Sequence, residues 1–226
     1  MYLTDLAYVL LFPCLLLAMY AQWKVHSAYR KYSHWESNRG EAGAQVARAL
    51  LDEKGIGDVQ VIMGKGELTD HYDPIRRLVV LSPGVYNGRS LAALAIAAHE
   101  TGHAYQHQTH YVPLTIRSFL SPGVGFANTM AIPVFLLGLF FSTTLTTIGL
   151  YLFAGVLLFQ IVTLPVEFNA SSRAMAALRN GGYLDDEEYP AAQKVLSAAA
   201  MTYVAAALVT LLQFMRLLGM SGRRRR

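Results

Sequence analysis

One cysteine, Cys14, serves the whole chain. A lone thiol forms no intrachain disulfide, and a zinc site built from cysteine thiolates is excluded. Inside a run of apolar residues, Cys14 reads as a small hydrophobe. Charge is scarce too: Asp, Glu, Lys and Arg make up 15% of the 226 residues, against 54% hydrophobic, and the mean hydropathy is +0.31. That composition suits a membrane protein better than a soluble enzyme. The first apolar run has neither a basic leader nor a small-residue cleavage site, which argues against a cleaved signal peptide. There are no internal repeats and no low-complexity linkers. The net charge of +4 does not point to nucleic acid. Its excess sits in Arg223-Arg224-Arg225-Arg226, which reads as a contact for lipid headgroups.

What is present is apolar length. Four segments reach the ~20 residues that a bilayer requires: about Tyr2–Gln22, Val124–Phe141, Leu145–Leu164 and Val195–Leu218. The middle two are joined by Ser142-Thr143-Thr144, and the last carries Gln213 and Arg216. Trp23 and Lys24 look like an interfacial anchor after the first. The expected organisation is a span at 1–22, a polar lobe at 23–118, spans at 119–142 and 143–165, a segment at 166–193, and a last span with its basic tail at 194–226. In the lobe, Ser37 to Lys54 reads as an amphipathic helix, with Val46, Ala49 and Leu50 inward. Gly55 and Gly57 break it. Val59 to Met63 and Arg77 to Leu81 read as strands. The lobe is a small α+β unit, too slight to bury a large core by itself.

Within the lobe stands His99-Glu100-Thr101-Gly102-His103, an instance of HExxH. On a helix, positions i and i+4 share a face about 6 Å apart along the axis. Two imidazoles so placed grip one Zn²⁺, and the adjacent Glu100 is free to take a proton from water. Asn87-Gly88 is a turn signal, Ser90 a candidate N-cap, and the Ala-rich run after it favours helix, giving a helix from about Arg89 to about His107. The blander alternative is a core helix whose histidines are satisfied by hydrogen bonds. Burying two His and a Glu on an Ala/Leu helix is costly without a partner, and a metal supplies one. The fold class follows: mainly α, a four-span helical membrane protein with a zincin-like α+β lobe carrying the HExxH helix.

A third ligand is required. The pattern HExxHxxGxxH fails, because position 106 is Gln and position 109 is Thr, with His110 one residue out of register. The other common arrangement takes a Glu from a later helix. Glu167 follows the third apolar run and opens a helix-compatible segment. Its bland reading is a carboxylate at a helix N-terminus. The rival acids Asp185, Asp186, Glu187 and Glu188 cluster in a polar loop. Span parity favours Glu167: the HETGH helix follows span one and Glu167 follows span three, so both emerge on one side. Lys24, Arg30, Lys31 and Arg39 after span one put that side in the cytoplasm by the positive-inside rule, while the arginine tail argues the other way.

Leu68-Thr69-Asp70-His71-Tyr72-Asp73-Pro74, Leu81-Ser82, Ala97 to Ala104 and Leu164-Pro165-Val166-Glu167-Phe168-Asn169-Ala170-Ser171, in that order, resemble the bacterial YugP-type neutral zinc metallopeptidases. More distantly the chain is similar to the HtpX heat-shock protease and the CAAX prenyl protease. The resemblance implies a multi-pass protease of the bacterial cell membrane. One departure stands out: after the Glu, the distant relatives carry an Asp that orients a ligand His, and here the position is Ser171. A ligand imidazole normally donates its second N–H to an oxygen. Asp70, Asp73 and Asn169 are candidates for that task. Thr69 to Pro74 also reads as a polar turn with capping Asp residues.

The expected activity is hydrolysis of peptide bonds at the membrane face. One Zn²⁺ per chain is held by His99, His103 and Glu167, with Glu100 as general base. His71, Tyr72 or Arg173 is the candidate donor to the oxyanion, and His107 is a candidate neighbour of the ligands, or simply a His at a helix C-terminus. The strand at Arg77–Leu81 is a candidate edge for an extended peptide. The partners are a peptide or protein substrate, membrane proteins among them, and the bilayer. Two rival readings remain: a site-2-type intramembrane protease, which lacks its LDG motif here, and a non-catalytic zinc-binding scaffold, which does not need Glu100.

Overall fold

The computed structural model describes residues 2–224, with side chains from Val9 to Gly222. The lipid-contact reading of the arginine tail therefore falls on side chains outside the described residues. Four long helices dominate: α1 (Tyr2–Tyr32), α5 (Val112–Phe141), α6 (Thr143–Asn180) and α7 (Tyr189–Arg224). Each holds a stretch long and apolar enough to cross a membrane: Val9–Tyr32, Val112–Phe141, Thr143–Asn180 and Tyr189–Gly222. Between α1 and α5 lie α2 (Gly43–Glu53), β1 (Gln60–Met63), β2 (His71–Asp73), β3 (Leu78–Leu81), α3 (Pro83–Tyr86) and α4 (Leu91–Gln108).

The helices outrun the apolar segments that announce them. α1 continues past Gln22 to Tyr32, and α5 begins at Val112, well before Val124. Hydropathy marks where a helix is oily, whereas the i→i−4 hydrogen bonds continue as long as the residues tolerate helix. The larger difference concerns α6. No break separates the third apolar run from Glu167. Pro165 lies inside one continuous helix of 38 residues, at the cost of one backbone hydrogen bond. Glu167 thus occupies a helix interior and does not open a new helix.

The chain forms two compact units. The first comprises the N-terminal part up to Ala21, Pro113–Pro165, and the part from Thr202 onward. It buries Ala131, Phe135, Phe153 and Leu217. Small residues let its helices approach closely: a Cβ on Gly149 of α6 would lie 2.5 Å from the Phe135 nitrogen of α5.

The second unit comprises Gln22–Val112 and Val166–Met201. In it α2 lays Val46, Ala47, Leu50 and Leu51 against Leu91, Leu94 and Ala98 of α4. α2 starts at Gly43, not near Ser37, because the preceding segment is drawn into extended pairing. Ser37 N–H donates to Arg89 O (2.9 Å) and Gly43 N–H to Gly88 O (2.8 Å). Gln45 Oε1 then caps the Ala42 N–H at 2.9 Å. The three strands form one sheet in the order β1-β3-β2, with β1 parallel and β2 antiparallel to β3. β3 is the central strand, paired on both sides, and offers no free edge to a peptide. The edge-pairing role expected for Arg77–Leu81 is therefore closed. β1 lies within the run Val59 to Met63 expected as a strand, whereas β2, three residues of mostly polar sequence, escaped the hydrophobic pattern.

Candidate metal centre

α4 forms where the sequence places it. Ser90 Oγ accepts the Ala93 N–H at 3.2 Å, and the alanine-rich turn that follows has little competing propensity. His99 and His103 fall one turn apart on one face, their ring centroids 4.8 Å apart in a T-shaped pair. Glu167 arrives from α6. The close approach depends on Gly102, where a Cβ would stand 2.5 Å from the Ala170 carbonyl oxygen. Thr101, fully buried, turns its hydroxyl back to Ala97 O (3.1 Å) and Ala98 O (2.7 Å).

The three side chains converge: one nitrogen of each histidine and a Glu167 oxygen all lie within 4.8 Å of one another. His99 Nε2 is 3.3 Å from Glu167 Oε2, and His103 Nε2 is 3.7 Å from the same oxygen. Zinc ligands at ~2.0–2.1 Å in a tetrahedron are separated by about 3.3 Å. Two of the three edges are thus close to the spacing a zinc ion requires, with two nitrogens and a carboxylate as donors. The set fits the ion.

The cluster is dry. Glu167 is 2% exposed, His103 and Glu100 each 7%. Burial by itself would pull the His103 imidazole down, but the neighbouring Glu167 and Glu100 carboxylates hold it above the usual histidine range. Burial pushes the Glu100 carboxyl up, while the two imidazoles pull the other way.

Each imidazole has a partner on its far nitrogen. His99 Nδ1 meets Ser171 Oγ at 3.1 Å. His103 Nδ1 meets Gln106 Oε1 at 3.0 Å. Gln106 Nε2 donates to Val166 O (2.7 Å) and to Asn169 Oδ1 (3.0 Å). Asn169 Oδ1 also accepts from Arg173 Nε at 2.8 Å. Arg173 in turn donates to Thr109 Oγ1 at 3.2 Å and lies over the Tyr111 ring. The position that distant relatives fill with Asp is thus occupied by a hydroxyl that itself reaches the imidazole. Gln106 was overlooked in the sequence, where it figured only as the residue that breaks a different zinc pattern. Its signal was its spacing, three residues beyond His103 on the same helix face.

Other candidates are engaged elsewhere. Asp70 accepts from the Ser82 N–H (2.7 Å) and hydroxyl (3.0 Å), tying the loop before β2 to the end of β3. Asp73 caps the Ile75 and Arg76 N–H groups at the β2–β3 turn, and those bonds, that of Arg76 foremost, hold its carboxyl below the usual range. His71 is exposed, with Nδ1 2.8 Å from Thr69 O. Tyr72 and His107 pair with each other, Oη to Nδ1 at 2.7 Å. The polar-turn reading of Thr69 to Pro74 describes these contacts, with Tyr72 additionally linking β2 to α4.

Comparison with known proteins agrees with this chemistry. A family model described as "putative neutral zinc metallopeptidase" matches residues 7–222. The chain is 49% identical over 201 residues to "Putative membrane protease YugP" of Bacillus subtilis (strain 168), covering 88% of this chain and 89% of that protein. No solved structure matches. The chain belongs to the family of neutral zinc metallopeptidases, hydrolases that act on peptides.

Proposed function

We propose that the chain is a membrane-embedded zinc endopeptidase in which His99, His103 and Glu167 hold one Zn²⁺ and Glu100 is the general base. The convergence of those three donors within 4.8 Å carries the reading. A zinc ion held there supplies Lewis acidity, activating water and polarising the scissile carbonyl. Glu100, beside His99 on α4, takes the proton of the attacking water on a carboxylate oxygen and returns it to the leaving amine. Glu167 contributes one negative charge and the imidazoles none, so the donor set only partly neutralises the ion and leaves it electrophilic. The four apolar helices support insertion in the bacterial cell membrane, and the basic residues after the first span support a cytoplasmic catalytic face. Among the described residues α4 is not one of the helices long and apolar enough to cross a membrane, which favours cleavage at the membrane face over cleavage at the bilayer centre.

The decisive experiment is Glu100→Gln in the purified, detergent-solubilised protein. Zinc content stays at one per chain while cleavage of casein or a peptide library falls by about 10²–10⁴-fold, the range of general-base contributions. Undiminished proteolysis with zinc bound would remove Glu100 from the mechanism. Wild-type protein with neither zinc nor chelator-sensitive proteolysis would remove the proposal as a whole.

A further inference from the structure

We infer that Arg173, acting through Asn169 and Gln106, fixes the tautomer of His103, so that Nδ1 carries the hydrogen and the Nε2 lone pair faces the metal position. The inference rests on the zinc reading above and goes beyond it by assigning three positioning residues.

The argument follows donors and acceptors. An amide side chain is ambiguous by itself, since its oxygen and nitrogen can exchange places. Here both ends of the network are unambiguous. A guanidinium only donates, so the Asn169 atom 2.8 Å from Arg173 Nε is the amide oxygen. A main-chain carbonyl only accepts, so the Gln106 atom 2.7 Å from Val166 O is the amide nitrogen. The two assignments are independent and agree, because the same Gln106 nitrogen then donates its second hydrogen to Asn169 Oδ1 at 3.0 Å. Both Gln106 hydrogens are spent. Its remaining atom is an acceptor, and it stands 3.0 Å from His103 Nδ1. Of the two neutral tautomers, only Nδ1–H satisfies it. Nε2 is left with its lone pair, and it is the nitrogen 3.7 Å from Glu167 Oε2.

His99 differs. Its partner, Ser171 Oγ at 3.1 Å, donates or accepts with equal ease and imposes no tautomer. The two ligand histidines are therefore unequal: His103 is wired by a chain of fixed polarity and His99 is not. Gln106 is fully buried, so a broken link in the chain is not repaired by solvent.

The test measures zinc Kd by chelator competition, together with the ¹⁵N spectrum of the His103 imidazole in metal-free protein at alkaline pH. Gln106→Met and Asn169→Leu weaken zinc by about 10–100-fold, the usual effect of losing a partner behind a metal ligand. The wild-type spectrum shows Nδ1 protonated, and that of Asn169→Leu shows a mixture. Asn169→Asp retains an acceptor for both Gln106 and Arg173 and keeps wild-type affinity, which a merely structural role for the amide would not require. Arg173→Met, nearer the surface and less exposed to folding failure, weakens zinc, and Arg173→Lys restores it. Wild-type affinity in Asn169→Leu and Arg173→Met, or equal loss in Asn169→Asp and Asn169→Leu, overturns the inference. His103→Ala serves as the control. If it still binds one zinc, the metal reading itself fails; if it loses zinc while the relay variants do not, only the relay fails.

Discussion

Gly102 and Ala170 touch where α4 and α6 come together, and the atom opposite the missing Cβ is the Ala170 carbonyl oxygen, 2.5 Å from where that Cβ would stand. Because the obstacle is backbone, trimming a side chain cannot relieve it. Gly102→Ala lowers stability by about 1–3 kcal/mol, the usual cost of overpacking, and separates Glu167 from the histidines. Calorimetry and zinc titration check both effects. Ala170→Gly added to Gly102→Ala brings no recovery; a full recovery would mean that the side chain and not the main chain sets the spacing.

Zinc should stabilise the protein by mass action. A ligand at about a thousandfold excess over its Kd adds about 4 kcal/mol to the folded state. The thermal midpoint of wild type in detergent rises on adding zinc and falls with a chelator. Glu167→Ala, which removes the sole carboxylate among the three converging donors, abolishes most of that shift. An equal shift in the variant would exclude Glu167 as a ligand.

Glu188 is 3% exposed and accepts the main-chain N–H groups of Asn38 (2.7 Å) and Asp185 (3.0 Å). It joins the segment before α2 to the loop before α7. Glu188→Ala leaves two donors without their charged acceptor, at about 1.5–3 kcal/mol per bond. Amide exchange at Asn38 and Asp185 accelerates, while the α4 core exchanges as in wild type. Unchanged protection at both amides would contradict the clamp.

The Tyr72–His107 pair makes stability depend on pH with a definite sign. Burial pushes the Tyr72 phenol up to about 12, so it keeps its hydrogen and donates to His107 Nδ1. Burial, helped by Arg77 and His110, holds the His107 imidazole below the usual range. A histidine whose folded value is depressed stabilises the protein fully above the ordinary value of ~6.5. That contribution is lost as pH falls from there through the lower folded value. The difference in melting temperature between wild type and His107→Gln therefore shrinks over that window. A difference that grows on acidification would reverse the assignment.

The centre of the candidate site was legible because HExxH is local: two histidines one turn apart on one helix face with a glutamate beside the first, and Ser90 announcing the helix. Glu167 was reached by parity and elimination, although its helix was misdrawn. The end of the apolar run suggested a boundary, and the chain instead remains helical through it, Pro165 included. The partners of the imidazoles were not legible. Gln106 shares α4 with His103, but the way its amide faces is fixed by Val166 O and Asn169 Oδ1 on α6, residues far from it in sequence. β2 escaped for another reason. Three residues with polar neighbours carry no alternation, and they are a strand only because β3 lies alongside.

A network with a pure donor at one end, Arg173, and a pure acceptor at the other, the Val166 carbonyl, has a single self-consistent arrangement of hydrogens. On the proposed metal reading, the Gln106 and Asn169 amides then keep one arrangement whether or not an ion is bound. Metal capture, on that reading, requires neither amide to turn over.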